Sequence, residues 1–255
     1  MKIPRPLAAA AALLVSAATL RAQAPPPSTQ SPAPQPPLTQ QQGEEMLREL
    51  RAIRMLLERL TTPRPSSPPQ PEVGRVTNLK GYALGRPDAP LTMVEFTDLQ
   101  CPFCRQFILT SFEDIRKNWI DTGKLRYISR DFPIPDLHAH AMSAARAARC
   151  AGEQGKFWEM RLGLLRNANV LSPEFIQKAA GDLKLDSKTF SACAASNRYD
   201  AEIQAETEEG TRLGIAGTPT FVIGRSTAAA VEGPILVGAL PYAQFDAKLR
   251  ALLER

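Results

Sequence analysis

The order of apolar and polar positions divides the chain into stretches that can build a core and stretches that cannot. An apolar run from Leu7 to Leu20 follows Lys2 and Arg5. Further on, "GEEMLRELRAIRMLLERL" (43–60) sets Met46, Leu50, Ile53, Leu57 and Leu60 at alternating steps of four and three, a heptad seam on a helix. Leu47 and Leu56 widen the stripe, and Glu44–Arg48 and Arg54–Glu58 stand at i, i+4 on the polar side. From Leu91 the period changes. "LTMVEFTD" reads as a short strand. Phe103, Phe107, Phe112, Ile115 and Trp119 follow near helical spacing, and "KLRYISRDF" is a second strand. A long helical stretch runs from about His138 to Leu213. Two strands, "TFVIG" and "PILVG", and an amphipathic helix with Phe245, Leu249 and Leu252 on one side complete the pattern. This order predicts an α/β fold carrying a helical insertion, about 137–213.

Proline marks the segments without a core. Of 23 prolines, seven fall in 25–37 and five in 61–72, a composition that reads as extended linker. The expected organisation is a leader (1–24), a Pro-rich linker (25–42), an amphipathic helix (43–61), a second linker (62–72) and one domain (73–255). The leader has a positive start, an apolar stretch too short to span a bilayer, and Ala22-Gln23-Ala24 as a cleavage pattern. It predicts export, with cleavage near Ala24 and a periplasmic or similar destination. Without Lys2, Arg5 and Arg21 the formal charge of +5 falls to about +2. No basic cluster interleaved with aromatics appears, so nucleic acid is not an expected partner. The helix at 43–61, set between linkers, reads either as docking on the main domain or as a self-association element that would make a homo-oligomer. Its wide stripe favours three strands or more.

Export changes how the four cysteines are read, because disulfides persist outside the cytosol. Cys101 and Cys104, in "CPFC", stand where a strand hands over to a helix. Pro102 suits the first turn, and the free N–H groups and positive dipole end face the Cys101 sulfur. Both favour thiolate, so the Cys101 pKa is expected below the free value. A thiolate there with a second thiol one turn on is what dithiol–disulfide exchange requires. Zinc needs about four ligands, and there is no second C-x-x-C. A structural clip would close too small a loop to contribute much. Two thiolates holding Cu(I), a metallochaperone, remain the alternative from another class.

"APLTMVEFTDLQCPFCRQF", "CAGEQGKFWEM" and "GIAGTPTFVIG" resemble the DsbA-like branch of the thioredoxin superfamily from about Leu84 onward. The resemblance implies a thioredoxin fold with an inserted helical domain, and thiol–disulfide oxidoreductase activity on cysteine-containing exported polypeptides. It implies no bound cofactor or metal, and a redox partner that resets the dithiol. It places Pro219 in the cis-proline loop facing the active-site disulfide, with Thr218 offering backbone groups to a bound peptide. It makes Glu95, six residues before Cys101, a buried acid that relays a proton for the resolving cysteine, with burial expected to raise its pKa. Phe103 lacks the imidazole that some relatives place between the cysteines, which implies a milder oxidant.

Cys150 and Cys193 remain. In an exported chain they most simply pair as a structural disulfide in the helical lobe; free buried thiols or a second redox relay are the alternatives. Phe157, Trp158 and Phe175 read as lobe core, and His138, near a helix start, as a packing or capping residue. Whether such a protein oxidises, isomerises or reduces its clients is not set by these residues. A self-associated stalk would suit an isomerase or a reductase, because a client could be engaged twice.

Overall fold

The computed structural model describes residues 39–61, 72–227 and 229–254. The leader and most of both linkers, including the expected cleavage near Ala24, lie outside these residues. The chain divides into two units at Arg64 and Pro65.

In the first unit, α1 runs from Gln40 to Thr61. It therefore begins before residue 43, and residues 40–42, read as the end of the linker, form its first turn. The cause is a local capping box, Thr39-x-x-Gln42. Thr39 Oγ1 accepts from Gln42 N at 3.3 Å, and Gln42 Oε1 accepts from Thr39 N at 3.0 Å.

The second unit is built on a sheet of order β1-β6-β5-β3-β4-β2. Two short strands, β1 (Val73–Val76) and β2 (Ala83–Leu84), precede the first strand read from the pattern. They escape a periodicity search because they are two and four residues long. β3 (Leu91–Thr97) pairs parallel with β4 (Leu125–Asp131), and the crossover between them carries two helices. The first is α2 (Pro102–Thr110). The second is α3 (Phe112–Ile115), which widens into a π turn over Arg116–Ile120. The single helix read over this stretch is thus broken at Ser111, which is fully buried and donates from Oγ to the Leu240 carbonyl at 2.8 Å. β5 (Thr220–Ser226) runs antiparallel to β3, and β6 (Val231–Val237) antiparallel to β5.

Between β4 and β5 the chain forms the helical lobe: α4 (Ala141–Gly152), α5 (Phe157–Arg166), α6 (Pro173–Asp182), α7 (Ser187–Ala194) and α8 (Asp200–Arg212). The C-terminal α9 spans Tyr242–Leu253.

Alternation along β3 assigns its residues to two cores. Leu91 and Met93 join Phe107, Tyr127, Phe221, Phe245 and most of the lobe on one face. Val94 and Phe96 pack with Ile128, Phe132, Ile215 and Val222 on the other. On that second face Gly210 of α8 lies so close that a Cβ there would sit 2.8 Å from the Phe132 ring and 3.0 Å from Phe96.

The lobe is joined to the sheet where β4 ends. Glu206 of α8 accepts from the Asp131 backbone N–H at 2.7 Å and pairs with Arg130 at 3.0 Å and Arg149 of α4 at 2.7 Å. Arg149 also holds Asp131 at 2.6 Å. All four side chains are almost entirely buried. Burial, with the Asp131 charge adding, raises the Glu206 pKa to about 7 against the pull of the two guanidinium groups.

A candidate dithiol site at a helix start

All seven residues of β3 are buried, so the strand leads out of the core into the loop that carries the cysteines. Asp98 organises that loop. Its carboxylate accepts from Gln100 N (2.8 Å) and Ile134 N (2.8 Å) and meets His138 Nδ1 at 2.9 Å, while its carbonyl accepts from Cys101 N at 3.1 Å. Gln100 Oε1 accepts from His140 N at 2.7 Å. The segment entering the lobe is thereby laced to the loop before Cys101. His138, read from the sequence as a packing or capping residue, is brought to this loop by its contact with Asp98.

Cys101 is the N-cap of α2, with extended backbone (φ −69°, ψ 127°), and Pro102 opens the first turn. Both cysteines are free thiols. Cys101 retains 4% exposure and Cys104 none, so of the two sulfurs only that of Cys101 is open to the surface. Beside them Phe103 is well exposed. The Cys101 thiol donates to the Thr218 carbonyl at 3.3 Å, and the Thr218–Pro219 peptide is cis. Thr218 and Pro219 therefore sit against the sulfur that faces outward.

The two thiols are electrostatically unlike. A hydrogen bond from the Cys104 thiol is the largest influence lowering the Cys101 pKa. The Thr218 side chain and the backbone N–H groups of Cys104 and Phe103 assist it against burial, and the result is about 6. Cys104 is pushed well above its ordinary value, by burial first and then by the Cys101 and Glu95 charges.

Glu95 lies on the β3 face shared with Leu91 and Met93, beneath α2, and its side chain is fully buried. Its own strand supplies no partner for the carboxylate, and the fold does: Glu95 is ion-paired with the equally buried Arg161 of α5 and accepts from the Tyr127 hydroxyl. Arg161 is fixed further by Ser129 Oγ at 3.0 Å and the Tyr127 oxygen at 3.2 Å. One oxygen of Glu95 and one terminal nitrogen of Arg161 keep no hydrogen-bond partner among the described residues. The sequence carries a weak signal for Arg161, an arginine on the apolar side of "FWEMRLGLLR".

Cys150 of α4 and Cys193 of α7 are joined by a disulfide, Cα to Cα 5.8 Å, and both are buried within the lobe. Phe157 is buried there, and Trp158 packs against Tyr127 at the seam between lobe and sheet. Among the described residues no group of three or more His, Cys, Asp or Glu is placed to hold a metal ion. None of the described helices is long and apolar enough to cross a membrane.

The fold and site together define a thioredoxin-fold protein with a C-x-x-C dithiol, a cis-proline loop and a helical insertion, of the DsbA-like kind. A family model described as thioredoxin matches residues 77–233. The chain belongs to the thioredoxin family. Among solved structures it is similar to Wolbachia pipientis alpha-DsbA1, with a TM-score of 0.60 and 23% identity over 76% of this chain and 94% of that one. It is also similar to the thiol-disulfide exchange protein alpha-DsbA2 of the same organism, with a TM-score of 0.55 and 25% identity over 67% of this chain and 86% of that one. A curated relative, the Na(+)/H(+) antiporter NhaA 3 of Salinispora tropica, is 34% identical over 68% of this chain but only 26% of its own length. The chain spans about a quarter of the length of the curated relatives it matches.

Proposed function

We propose that this protein is an exported thiol–disulfide oxidoreductase that forms or rearranges disulfides in cysteine-containing exported polypeptides through Cys101 and Cys104. The observation that carries this reading is the asymmetry of the pair: an outward sulfur with its pKa drawn to about 6, bonded to the cis-proline loop, above an inward sulfur whose pKa is driven up.

In the oxidising direction a client thiolate attacks Cys101 Sγ of the disulfide form. A client–Cys101 disulfide forms, the Cys101–Cys104 bond breaks, and Cys104 leaves as a thiolate that takes up a proton. A second client thiolate then attacks the client sulfur of the mixed disulfide. The client disulfide forms and Cys101 leaves as a thiolate, a good leaving group because its pKa is low. Two electrons stay with the dithiol, and a redox partner must remove them. In the reverse direction the Cys101 thiolate attacks a client disulfide, and Cys104 resolves the intermediate after losing its proton.

Glu95 is the acid–base group for that proton, held from below by Arg161 and Tyr127. Thr218 presents backbone groups to an extended client segment, as an added strand would use them. Cys150–Cys193 serves as structural support and takes no part in turnover. The antiporter named among the relatives brings no transport activity to this reading, since the chain matches only a quarter of it.

A glutathione redox titration, read by thiol alkylation and intact mass, tests the proposal. Two thiols titrating reversibly, with Cys150 and Cys193 oxidised throughout, is the expected outcome. A midpoint above about −200 mV favours an oxidase or isomerase, and one near −270 mV a reductase fed with electrons. Failure of Cys101 and Cys104 to form a disulfide at any poise sinks the reading and moves Cu(I) binding by the same pair to the front.

A further inference from the structure

α1 has no part in the chemistry at Cys101, yet it displays an apolar seam. Met46, Leu50 and Ile53 are 48%, 54% and 51% exposed along it, with Leu47 exposed beside them. In heptad terms Leu50 and Leu57 are a positions, and Met46, Ile53 and Leu60 are d positions. Glu49 is then g and Arg54 is e, five residues on. In a parallel coiled coil a g residue of one strand lies beside the e residue of the following heptad on its neighbour, so Glu49 meets Arg54 of another copy. An antiparallel arrangement faces g against g, and the other g positions, Gln42 and Leu56, offer Glu49 no cation. Gly43 is the remaining a position and Ile53 the one β-branched d residue, so strand number is set at the centre of the helix, where Leu50 at a with Ile53 at d, flanked by the apolar Leu47 and Leu56, favours more than two strands.

We infer that α1 is a parallel self-association helix whose partner is α1 of two or three further copies of this chain, registered by Glu49–Arg54 pairs between copies. A lone heptad helix of this length is marginal in water, and association is what stabilises it. This inference does not depend on the redox reading, and its test uses a different observable.

The test is light scattering on the full purified protein at micromolar concentration, with thiol titration as the check on the second unit. The wild type is expected at three or four chain masses. Leu50→Glu with Ile53→Glu should reduce that three- to four-fold, to one chain, with the Cys101–Cys104 titration unchanged. Arg54 is engaged within its own chain as well, so the charge variants are read as a set. Glu49→Arg and Arg54→Glu alone should each weaken assembly, and the pair together should restore it. Three results overturn the inference: a wild type of one chain mass, an assembly that survives the Leu50/Ile53 variant, or a double charge reversal no better than the singles. In the first case, co-sedimentation of the wild type with phosphatidylglycerol vesicles separates a lipid surface from the chain's own second unit as the occupant of the seam.

Discussion

The two cysteine pairs sit in one fold and are built oppositely. Cys150 and Cys193 come from two helices of the lobe, are equally buried and are bonded. Cys101 and Cys104 stand three positions apart on a single helix start, differ in exposure, and are drawn apart in acidity. Equivalent surroundings make a bond that has no reason to open; unequal ones make a pair poised to exchange. What a cysteine does here is decided by where its sulfur lies relative to N–H groups, to solvent and to other charges.

The comparison is broken most severely at Cys101. Cys101→Ser is expected to reduce disulfide exchange to background in an insulin-reduction assay, whereas Cys104→Ser keeps the outward nucleophile and accumulates mixed disulfides visible by intact mass. Arg161→Met leaves the Glu95 carboxylate buried without its counter-ion. It should cost about 3–5 kcal/mol in denaturant unfolding, and adding Glu95→Gln should return much of that, a coupling that a purely steric role would not show. Cys150→Ala with Cys193→Ala removes a cross-link of sequence separation 43. The expected loss is about 4 kcal/mol in the chain-entropy account, with the Cys101 alkylation profile unmoved.

The smallest effect concerns pH. The iodoacetamide rate of Cys101 should rise with a midpoint near its pKa of about 6, and Cys104 should stay unreactive well past neutrality. Because the folded-state pKa of Cys101 is depressed from 9.0, its contribution to the stability of the reduced protein is fully present above pH 9 and is lost as pH falls towards 6. Cys104, with its pKa raised, acts in the opposite sense above pH 9. Urea unfolding of the reduced protein at pH 5 and pH 8, compared with Cys101→Ala, measures the first of these trends.

Local patterns made most of the fold class legible. The alternation in "LTMVEFT", the helical spacing from Phe103, and the paired strands near the C-terminus are all read within a few residues, as is the helix start that carries Cys101. The groups that hold the site from below are not local. Arg161 is 66 residues from Glu95, and its place on the apolar side of its own helix signals burial without naming a partner. Asp98 and His138 meet only because the chain enters the lobe beside the loop it left 36 residues earlier, at Ile134. Thr39 and Gln42 form a capping box that is legible in the sequence, although the surrounding prolines and glutamines have the composition of a linker.

The clasp around Glu206 has a consequence for how this architecture tolerates change. It fastens the residue at which the chain enters the insertion, Asp131, to the helix by which the chain leaves it, α8. With its two ends held together at the sheet, the insertion hangs as a closed loop. Lengthening such a loop costs only about 0.6 kcal/mol for each doubling. Turns of the lobe remote from α5, whose Arg161 reaches the strand that delivers Cys101, can therefore change length without either end of the insertion moving. It is a compartment of variable size on a fixed hinge-pin of buried charge.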